Sequence, residues 1–424
     1  MSPLNINKNN WRALIAAIVA SGTDDLNIMF LAFSMSTIIT DLHLSAAQAG
    51  WIGTITNLGM LVGGLIFGLL ADRYNKFKVF KWTILIFSIA TGLVFFTTNL
   101  SYLYIMRFIA GIGVGGEYGI AIAIMAGIVP TNKMGRISSL NGIAGQVGSI
   151  SSALLAGWLA PALLAGWLAP ALGWRGLFLF GLLPIVLVLW MQFAVDDKDI
   201  LDQYNTDADD EPLDISIKAL FDTPVLATQS LALMVMTTVQ IAGYFGMMNW
   251  LPTIIQTNLN VSVKNSSLWM IATILGMCLG MLVFGQLLDK FGPRLVYGCF
   301  LLSSAICVYL FQFATTMPSM IIGGAVVGFF VNGMFAGYGA MITRLYPHHI
   351  RSTANNLILN VGRAIGGFSS VIIGMILDVS NVSMVMLFLA SLYIVSFLSM
   401  LSIKQLKRQK YHTNLTQLDV KPTD

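Results

Sequence analysis

The chain contains the same pattern of residues twice, and the two copies lie 217 positions apart (285 − 68). The segment Gly68–Arg73 returns in a looser form as Gly285–Lys290. The same offset relates four further pairs, namely Pro130 and Pro347, Gly111 and Gly328, Gly116 and Gly333, and Gly145 and Gly362. A constant offset over separate segments indicates an internal duplication. Because each copy of the charged segment follows a long apolar stretch, we expect a membrane protein with its active region between two related halves.

Charged residues are too few to cover a water-exposed surface. They make up 10% of the 424 residues, against 56% for hydrophobic residues, and a soluble domain carries about 25% charged residues. Most of the surface must therefore face membrane lipid, and the net charge of +4 does not indicate nucleic-acid binding. Cys278, Cys299 and Cys307 fall inside apolar stretches, so neither a disulfide framework nor a metal site is expected.

Twelve apolar stretches are long enough to cross a bilayer, which takes about 20 helical residues. Lipid offers the backbone no hydrogen-bond partners, so each stretch is predicted to be an α-helix. The predicted fold is an all-α membrane protein with twelve transmembrane helices in two pseudo-symmetric six-helix bundles. The predicted spans are 12–38, 47–71, 78–97, 101–128, 138–160, 174–194, 225–253, 265–288, 294–313, 317–345, 352–377 and 380–402.

Charge and repetition outside the spans define the predicted domains. These are a first bundle at 1–194, an acidic linker at 195–224, a second bundle at 225–402 and a tail at 403–424. Most lysines and arginines lie in one set of connections, and the opposite set holds only Arg175 and Lys264. Both termini and the linker are therefore predicted to be cytoplasmic, and no cleavable signal pattern is present. Residues 153–161 recur unchanged as 162–170, and no chemistry is assigned to this tandem duplication.

Five ionisable residues lie within the predicted spans and more than four residues from either end, where each is costly and is by default a functional candidate. They are Asp24 and Asp25 in the first span, Arg107 and Glu117 in the fourth, and Arg363 in the eleventh. Arg107 and Glu117 are ten residues apart, about 15 Å along a helix axis, so they cannot pair directly. We expect the first-span carboxylates to approach Arg107 or Glu117 across a helix contact.

These charges have two interpretations. A carboxylate in a low-dielectric cavity can gain and lose a proton near neutral pH, so Asp24, Asp25 and Glu117, tuned by Arg107, are predicted to couple transport to protons. Alternatively, the charges form fixed ion pairs that hold helices together. Arg363 suits a bidentate carboxylate ligand, because the second half has no intramembrane acid. It could equally pair with an acid of the first half.

Uncharged polar side chains within the spans are candidates for substrate contacts. Gln146 matches Arg363 by the 217-residue offset. Polar residues in membrane helices more often bind a neighbouring helix than a ligand, so both roles stay open for each residue. The predicted substrate-binding set comprises Arg363, Gln146, Tyr244, Asn360, Asn27 and Gln240.

Two further features concern movement of the helices. An acid and bases held in a short loop can form a clasp between the halves that breaks when the transporter changes state. The predicted gating residues are Gly68, Asp72 and Arg73 with their counterparts Gly285, Asp289 and Lys290. The glycine-rich run Arg107–Gly119 lies inside an apolar helix, so it is not a nucleotide loop. Gly111 and Gly115 lie four residues apart and predict a close-packed helix seam.

These motifs resemble those of the major facilitator superfamily, and the resemblance covers essentially the whole chain. Gly68 to Lys76 matches the family's loop phrase, with Asn75 where a second glycine is usual, whereas the second copy keeps Gly292. Arg107 to Gly115 carries the complete fourth-span pattern R-x-x-x-G-x-G-x-G. The glycine–proline pair of the antiporters is absent from the fifth span, which disfavours drug–proton exchange.

Further segments are similar to those of the sialate and monocarboxylate proton symporters, and aromatic-acid proton symporters are close relatives. These segments are 115–119, 173–178 and 250–252. The first span of the aromatic-acid group commonly carries D-x-x-D. Here Asp24 takes the first position, Asn27 replaces the second acid, and Asp25 is added beside Asp24. The resemblance therefore leaves open which carboxylate carries the proton.

The leading hypothesis is a proton-coupled symporter that imports a small organic anion, such as a carboxylate, across a bacterial inner membrane. Asp24 or Asp25 and Glu117 would take the proton, and Arg363, with Arg107, would hold the carboxylate or tune the acids. One chain is expected to work as a monomer, with no cofactor besides protons. The alternatives are a transporter of sugars or other neutral solutes and a transporter-like nutrient sensor. An enzyme is not expected, because the spans contain no metal-binding or serine–histidine pattern.

Overall fold

Helices form almost all of the chain that the computed structural model describes, namely residues 7–129, 131–159, 173–196, 217–259, 263–346 and 351–406. Within these ranges there is no β-strand, which confirms the predicted all-α class. Among the described residues, eleven helical segments are long and apolar enough to cross a membrane. The helix at the predicted fifth span is not among them, because serine, asparagine and glutamine interrupt its apolar stretch.

Among the residues that the structure describes, seven helices precede the acidic linker. They are α1 Lys8–Asp41, α2 Ala46–Arg73, α3 Lys76–Leu93, α4 Leu100–Ile128, α5 Thr131–Leu154, α6 Arg175–Leu179 and α7 Pro184–Ala194. Short 3-10 turns at Val94–Phe96 and Phe180–Leu182 extend α3 and join α6 to α7, and a π-helical turn at Leu155–Leu159 continues α5. The second copy of the tandem duplication, 162–170, lies outside the described residues.

Within the described ranges, eight helices follow the linker. They are α8 Pro224–Leu259, α9 Val263–Phe291, α10 Pro293–Phe311, α11 Met317–Gly333, α12 Phe335–Leu345, α13 Arg351–Gly366, α14 Ser369–Val379 and α15 Val382–Ser402. Short 3-10 turns at Ile217–Leu220 and Lys404–Leu406 flank them. Helices α11 and α12 divide the tenth predicted span at Met334, and α13 and α14 divide the eleventh near Gly367.

The chain divides into two compact units. The first comprises Met1–Asp210 together with Met248–Leu268, and the second comprises Glu211–Met247 together with Trp269–Asp424. Helix α8 therefore contributes residues to both units. Most of the predicted linker and of the tail lies outside the described residues, so the predicted domain boundaries stay predictions.

The internal duplication is visible in how the helices of each unit pack. In the first unit, glycines bring α2 and α4 so close that an added Cβ would collide with a carbonyl oxygen of the facing helix. The collisions involve Gly59 with Phe108, Gly63 with Ile112 and Gly111 with Thr56. Helices α9 and α11 repeat these contacts 217 positions later, with Gly276 and Ala325, Gly280 and Phe329, and Gly328 and Thr273. The close-packed seam predicted from the sequence is thus present in both units.

The residue before the third helix of each half differs between the two copies, and so does the way in which that helix begins. Asn75 precedes α3, and its side chain accepts hydrogen bonds from the backbone N–H groups of Phe77 and Lys78 at 2.9 and 3.2 Å. Its counterpart Gly292 precedes α10 with φ at +82°, a conformation that favours glycine. Where the second half uses a glycine with positive φ before the helix, the first half uses Asn75, whose side chain caps the helix N-terminus.

The two ends of the first unit are each fastened by polar contacts. At one end, Asn9 and Asp196 exchange side-chain and backbone hydrogen bonds at 2.9 and 2.8 Å, and Arg12 donates to the Ala194 carbonyl at 2.7 Å. The start of α1 and the end of α7 therefore lie together. At the other end, Arg175 forms an ion pair with Asp41 at 2.8 Å.

Replacement of Arg175 by glutamine is expected to loosen that second end only slightly. Arg175 also donates to the Thr97 carbonyl at 2.8 Å, and Trp174 donates to Asp41. The ion pair is partly exposed, so its loss should cost about 1 kcal/mol. A thermal melt of the purified chain should show a midpoint a few degrees lower, with transport retained. Asp41→Asn should have a similarly small effect. If either variant failed to fold, the small contribution expected of this ion pair would be wrong.

Candidate functional site

Two carboxyl groups from different helices meet in the interior of the first unit. Asp24 on α1 is 5% exposed and Glu117 on α4 is fully buried. The two groups interact electrostatically with each other, and the Ser21 side chain lies beside Glu117. Of the two approaches expected from the sequence, towards Arg107 or towards Glu117, the structure contains the second.

The oxygen atoms of this pair have little compensation from the protein. Asp24 Oδ1 and both carboxyl oxygens of Glu117 are buried and form no hydrogen bond of normal geometry with the described part of the chain. Buried polar atoms normally have a partner, and leaving one without it costs about 1–3 kcal/mol. Such oxygens are suited to binding a proton, which removes charge and supplies a donor.

Asp25 lies next to this pair but in a different environment. It is half-buried, and its charge acts on both Asp24 and Glu117. Its Oδ2 rests against Gly145 of α5, where an added Cβ would collide with it. Helices α1 and α5 approach closely here, because a Cβ at Gly148 would likewise collide with the carbonyl oxygen of Gly22. The glycine at position 145 therefore gives Asp25 its space.

Arg107 is separate from the acidic cluster. It is 1% exposed, and its Nε donates to the hydroxyl of Thr56 on α2 at 3.3 Å. Among the described residues it forms no ion pair. The proton-coupling group predicted from the sequence therefore consists, in space, of three neighbouring acids and one distant arginine.

The predicted substrate residues of the first unit are both buried. Asn27 donates from Nδ2 to the Thr23 carbonyl of its own helix at 2.8 Å, and its Oδ1 faces Gly181. Gln146 follows Gly145 on α5. The side-chain oxygens of Asn27 and Gln146 have no hydrogen-bond partner within the described ranges. Each is therefore available to a donor that the chain does not supply.

The predicted substrate residues of the second unit lie on two helices. On α8, Gln240 is buried and donates from Nε2 to the Val331 carbonyl at 2.9 Å, while Tyr244 is half-buried and packs edge-on against Phe245. On α13, Asn360 and Arg363 are both half-buried. Gln240 thus binds a neighbouring helix, and the roles of all four residues stay predictions.

The predicted clasp falls largely outside what the structure describes. The side chains of Asp72, Arg73 and Asp289 are not among the described ones. The Lys290 ammonium lies 5.3 Å from the ring centroid of Phe291. A Cβ added at Gly68 or at Gly285 would meet no atom within 4 Å, so close packing does not explain either glycine. The gating role of these six residues stays a prediction.

Sequence reasoning missed two residues that contribute to the site. Ser21 lies three residues before Asp24, and side chains three or four apart share a helix face, so its position beside the acids could have been expected. Thr56 supplies the hydrogen bond to Arg107 from another helix. No local pattern in the sequence indicates that contact.

Two duplicated units of membrane-length helices, with ionisable groups buried inside one of them, are typical of a membrane transporter. The sequence matches the Major Facilitator Superfamily over residues 15–276 and 233–420. A putative metabolite transport protein of Haemophilus influenzae is 35% identical over 398 residues, which cover 93% of this chain and 96% of that protein.

Other relatives and solved structures agree with this class. The cis,cis-muconate transport protein of Acinetobacter baylyi is 25% identical, with 92% of this chain and 93% of that protein covered. The sialic acid transporter NanX of Escherichia coli is 29% identical, with 86% of each covered. The inward-open xylose transporter XylE from E. coli has the same fold, with a TM-score of 0.76, 15% identity and coverage of 96% and 99%.

The chain belongs to the major facilitator superfamily. It is a multi-pass membrane transporter of a small molecule and not an enzyme. The fold class and the superfamily resemblance predicted from the sequence are therefore confirmed.

Proposed function

We propose that the protein is a proton-coupled symporter of a small organic anion that carries a carboxylate. The observation that carries this proposal is the buried Asp24–Glu117 pair in the first unit. The proton is the only coupling ion that this arrangement requires, and no cofactor takes part.

The pair is suited to hold one proton. Two ionised carboxylates in contact repel each other by a few kcal/mol even at an effective dielectric constant of about 20. Burial removes the water that would otherwise stabilise both charges, so one proton shared by the pair relieves repulsion and desolvation together. Because Asp24 and Glu117 lie on α1 and α4, any movement between these helices changes the strength with which the proton is held.

Asp25 has a different role in this proposal. It is half-buried and lies beside the pair, so it can exchange protons with water more readily than its neighbours. We assign storage of the proton to Asp24 and Glu117 and its entry and release to Asp25. Of the two first-span carboxylates, Asp24 thus stores the proton and Asp25 passes it to and from water.

The relatives and the basic residues support the proposed substrate class. Curated relatives are described as transporters of cis,cis-muconate, niacin, sialic acid and benzoate. Arg363 is the candidate residue of the second unit for binding a carboxylate bidentately. Its predicted companions are Gln146, Tyr244, Asn360, Asn27 and Gln240.

The cellular setting is part of the same proposal. We place the protein as a monomer in the inner membrane of a bacterial cell, with both termini in the cytoplasm and import as the direction. The bacterial origin of the relatives supports the inner membrane as its location. The distribution of basic residues supports the orientation. The contacts between Asn9 and Asp196 support a common side for the N-terminus and the linker.

Uptake by proteoliposomes tests this function. Vesicles with an alkaline lumen are given sialic acid, cis,cis-muconate, nicotinate or benzoate, with nicotinamide and xylose as uncharged comparisons. We expect at least one acid to accumulate, about tenfold for one pH unit if one proton accompanies a monovalent acid, and a protonophore to abolish the accumulation. Protein-free vesicles give the passive entry of each weak acid, which is subtracted. Uptake of the uncharged solutes alone would contradict the proposal.

A further inference from the structure

We propose that Arg107 is the residue of the first unit that binds the anionic group of the substrate. This inference rests on the proposed function, because it requires an anionic substrate. It assigns to Arg107 a direct contact with that substrate, distinct from the handling of protons by the acidic cluster.

The described residues bind the guanidinium of Arg107 at one edge. Its Nε donates to Thr56 Oγ1 at 3.3 Å, and the same hydroxyl donates to the Ile52 carbonyl at 2.8 Å. The proton of Thr56 is thus directed away from the arginine, and its oxygen is left as an acceptor. This is the one hydrogen bond of Arg107 among the described residues, although a guanidinium has five N–H donors.

The charge of Arg107 has no counterion in the part of the chain that the structure describes. The acids of the same unit that are buried with it, Asp24 and Glu117, interact with each other. Glu117 is ten residues further along the same helix, about 15 Å away along the axis. A buried charge without a partner is strongly unfavourable. An anionic ligand would supply the missing charge and accept the remaining N–H donors.

In the second unit, the position that corresponds to Arg107 is packed without a charged side chain. By the 217-residue offset, Gly324 corresponds to Arg107, Thr273 to Thr56 and Trp269 to Ile52. The indole of Trp269 is fully buried and lies directly against Gly324, and Thr273 Oγ1 would be 2.5 Å from a Cβ added there. An uncharged ring therefore fills the place that the guanidinium takes in the first unit.

This comparison separates a packing role from a binding role. If the contact between the two helices needed only volume, an indole and a glycine would serve in both units. The first unit instead keeps a planar cation whose geometry matches a carboxylate bidentately. The seam between α2 and α4 adjoins Arg107, because a Cβ added at Gly59 would collide with the carbonyl oxygen of Phe108. Helices that meet at glycines can move against each other, and the proposal requires such a movement to open the buried guanidinium to the substrate.

Binding measurements on the full chain in detergent test this inference. Nicotinate, benzoate, cis,cis-muconate and sialic acid are titrated first, and the acid bound most tightly is compared with its uncharged amide. The variants are Arg107→Gln, Arg107→Lys and the double variant Ile52→Trp with Arg107→Gly, which copies the packing of the second unit. Arg12→Gln is the matched control. Arg12 is also a cation, but it lies at the end of the unit and donates to a backbone carbonyl.

We expect Arg107→Gln and the double variant to bind the acid about 10- to 100-fold more weakly, as loss of charged hydrogen bonds predicts. Arg107→Lys should lie between them and the unmodified chain, and binding of the amide should not change. Equal weakening for acid and amide, or unchanged binding of the acid, would overturn the inference. So would failure of all three variants to fold. If the unmodified chain bound none of the acids, the proposed function itself would fail, which is a distinguishable result.

Discussion

The Glu117→Gln variant is expected to lose uphill accumulation of substrate and to keep the exchange of substrate across the membrane. Glutamine resembles a protonated glutamate in shape and charge, so the pair with Asp24 would remain fixed in the state that the shared proton normally gives it. Movement between outward and inward states with bound substrate would continue, but a pH gradient could no longer drive it. In proteoliposomes, the accumulation ratio should fall from about tenfold per pH unit to one, while counterflow of labelled substrate persists.

Two companion variants make this result specific. Asp24→Asn should give the same separation of accumulation from exchange, because asparagine likewise fixes the pair in its singly protonated state. Asp222→Asn should behave as the unmodified protein, since Asp222 is an exposed acid outside the helices. Retained accumulation in the Glu117→Gln vesicles would refute the coupling role of the pair. Loss of both accumulation and exchange would point to a structural role instead.

Alanine at Gly63 is expected to prevent normal packing of the first unit. An added Cβ would collide with the Ile112 carbonyl oxygen, and a backbone atom cannot move aside as a flexible side chain can. Overpacking of this kind costs about 1–3 kcal/mol or more. Gly280→Ala should have the same effect on the second unit, because its Cβ would collide with the Phe329 carbonyl oxygen.

The measurement is the yield of monodisperse protein in detergent, together with its thermal midpoint. Gly119→Ala is the matched control, because Gly119 lies on the same helix as the affected seam and its Cβ would meet no atom within 4 Å. We expect low yield or a midpoint lowered by many degrees for the two seam variants, and no change for the control. Normal yield, stability and transport in Gly63→Ala would contradict the close approach of α2 and α4.

Much of the fold could be predicted from the sequence because few backbone structures are stable within lipid. A spanning segment must satisfy its own backbone hydrogen bonds, so long apolar stretches predict helices directly. The 217-residue offset then predicts two related units, and the repeated contacts of Gly59 and Gly276 agree with it. The interruption at Met334 was not predicted, since its counterpart Glu117 lies within a continuous helix.

The site was less predictable because it depends on how helices rotate and cross. The sequence identifies Asp24, Asp25, Arg107 and Glu117 as intramembrane charges, but Arg107 and Glu117 are equally plausible partners for the first-span acids. Which one faces them depends on the packing of α1 with α4 and α5, which the glycines at 145 and 148 help to set. The contact of Arg107 with Thr56 likewise depends on the seam between α2 and α4.

The central claim is that a proton held by the Asp24–Glu117 pair crosses the membrane with each substrate. The most direct measurement records lumenal pH with a trapped dye while the best-bound acid enters proteoliposomes that have no imposed gradient, with protein-free vesicles as the baseline. The account predicts that the lumen acidifies as substrate enters and that Glu117→Gln vesicles exchange substrate without acidification. Entry of substrate at constant lumenal pH, or equal acidification with and without Glu117, would contradict it.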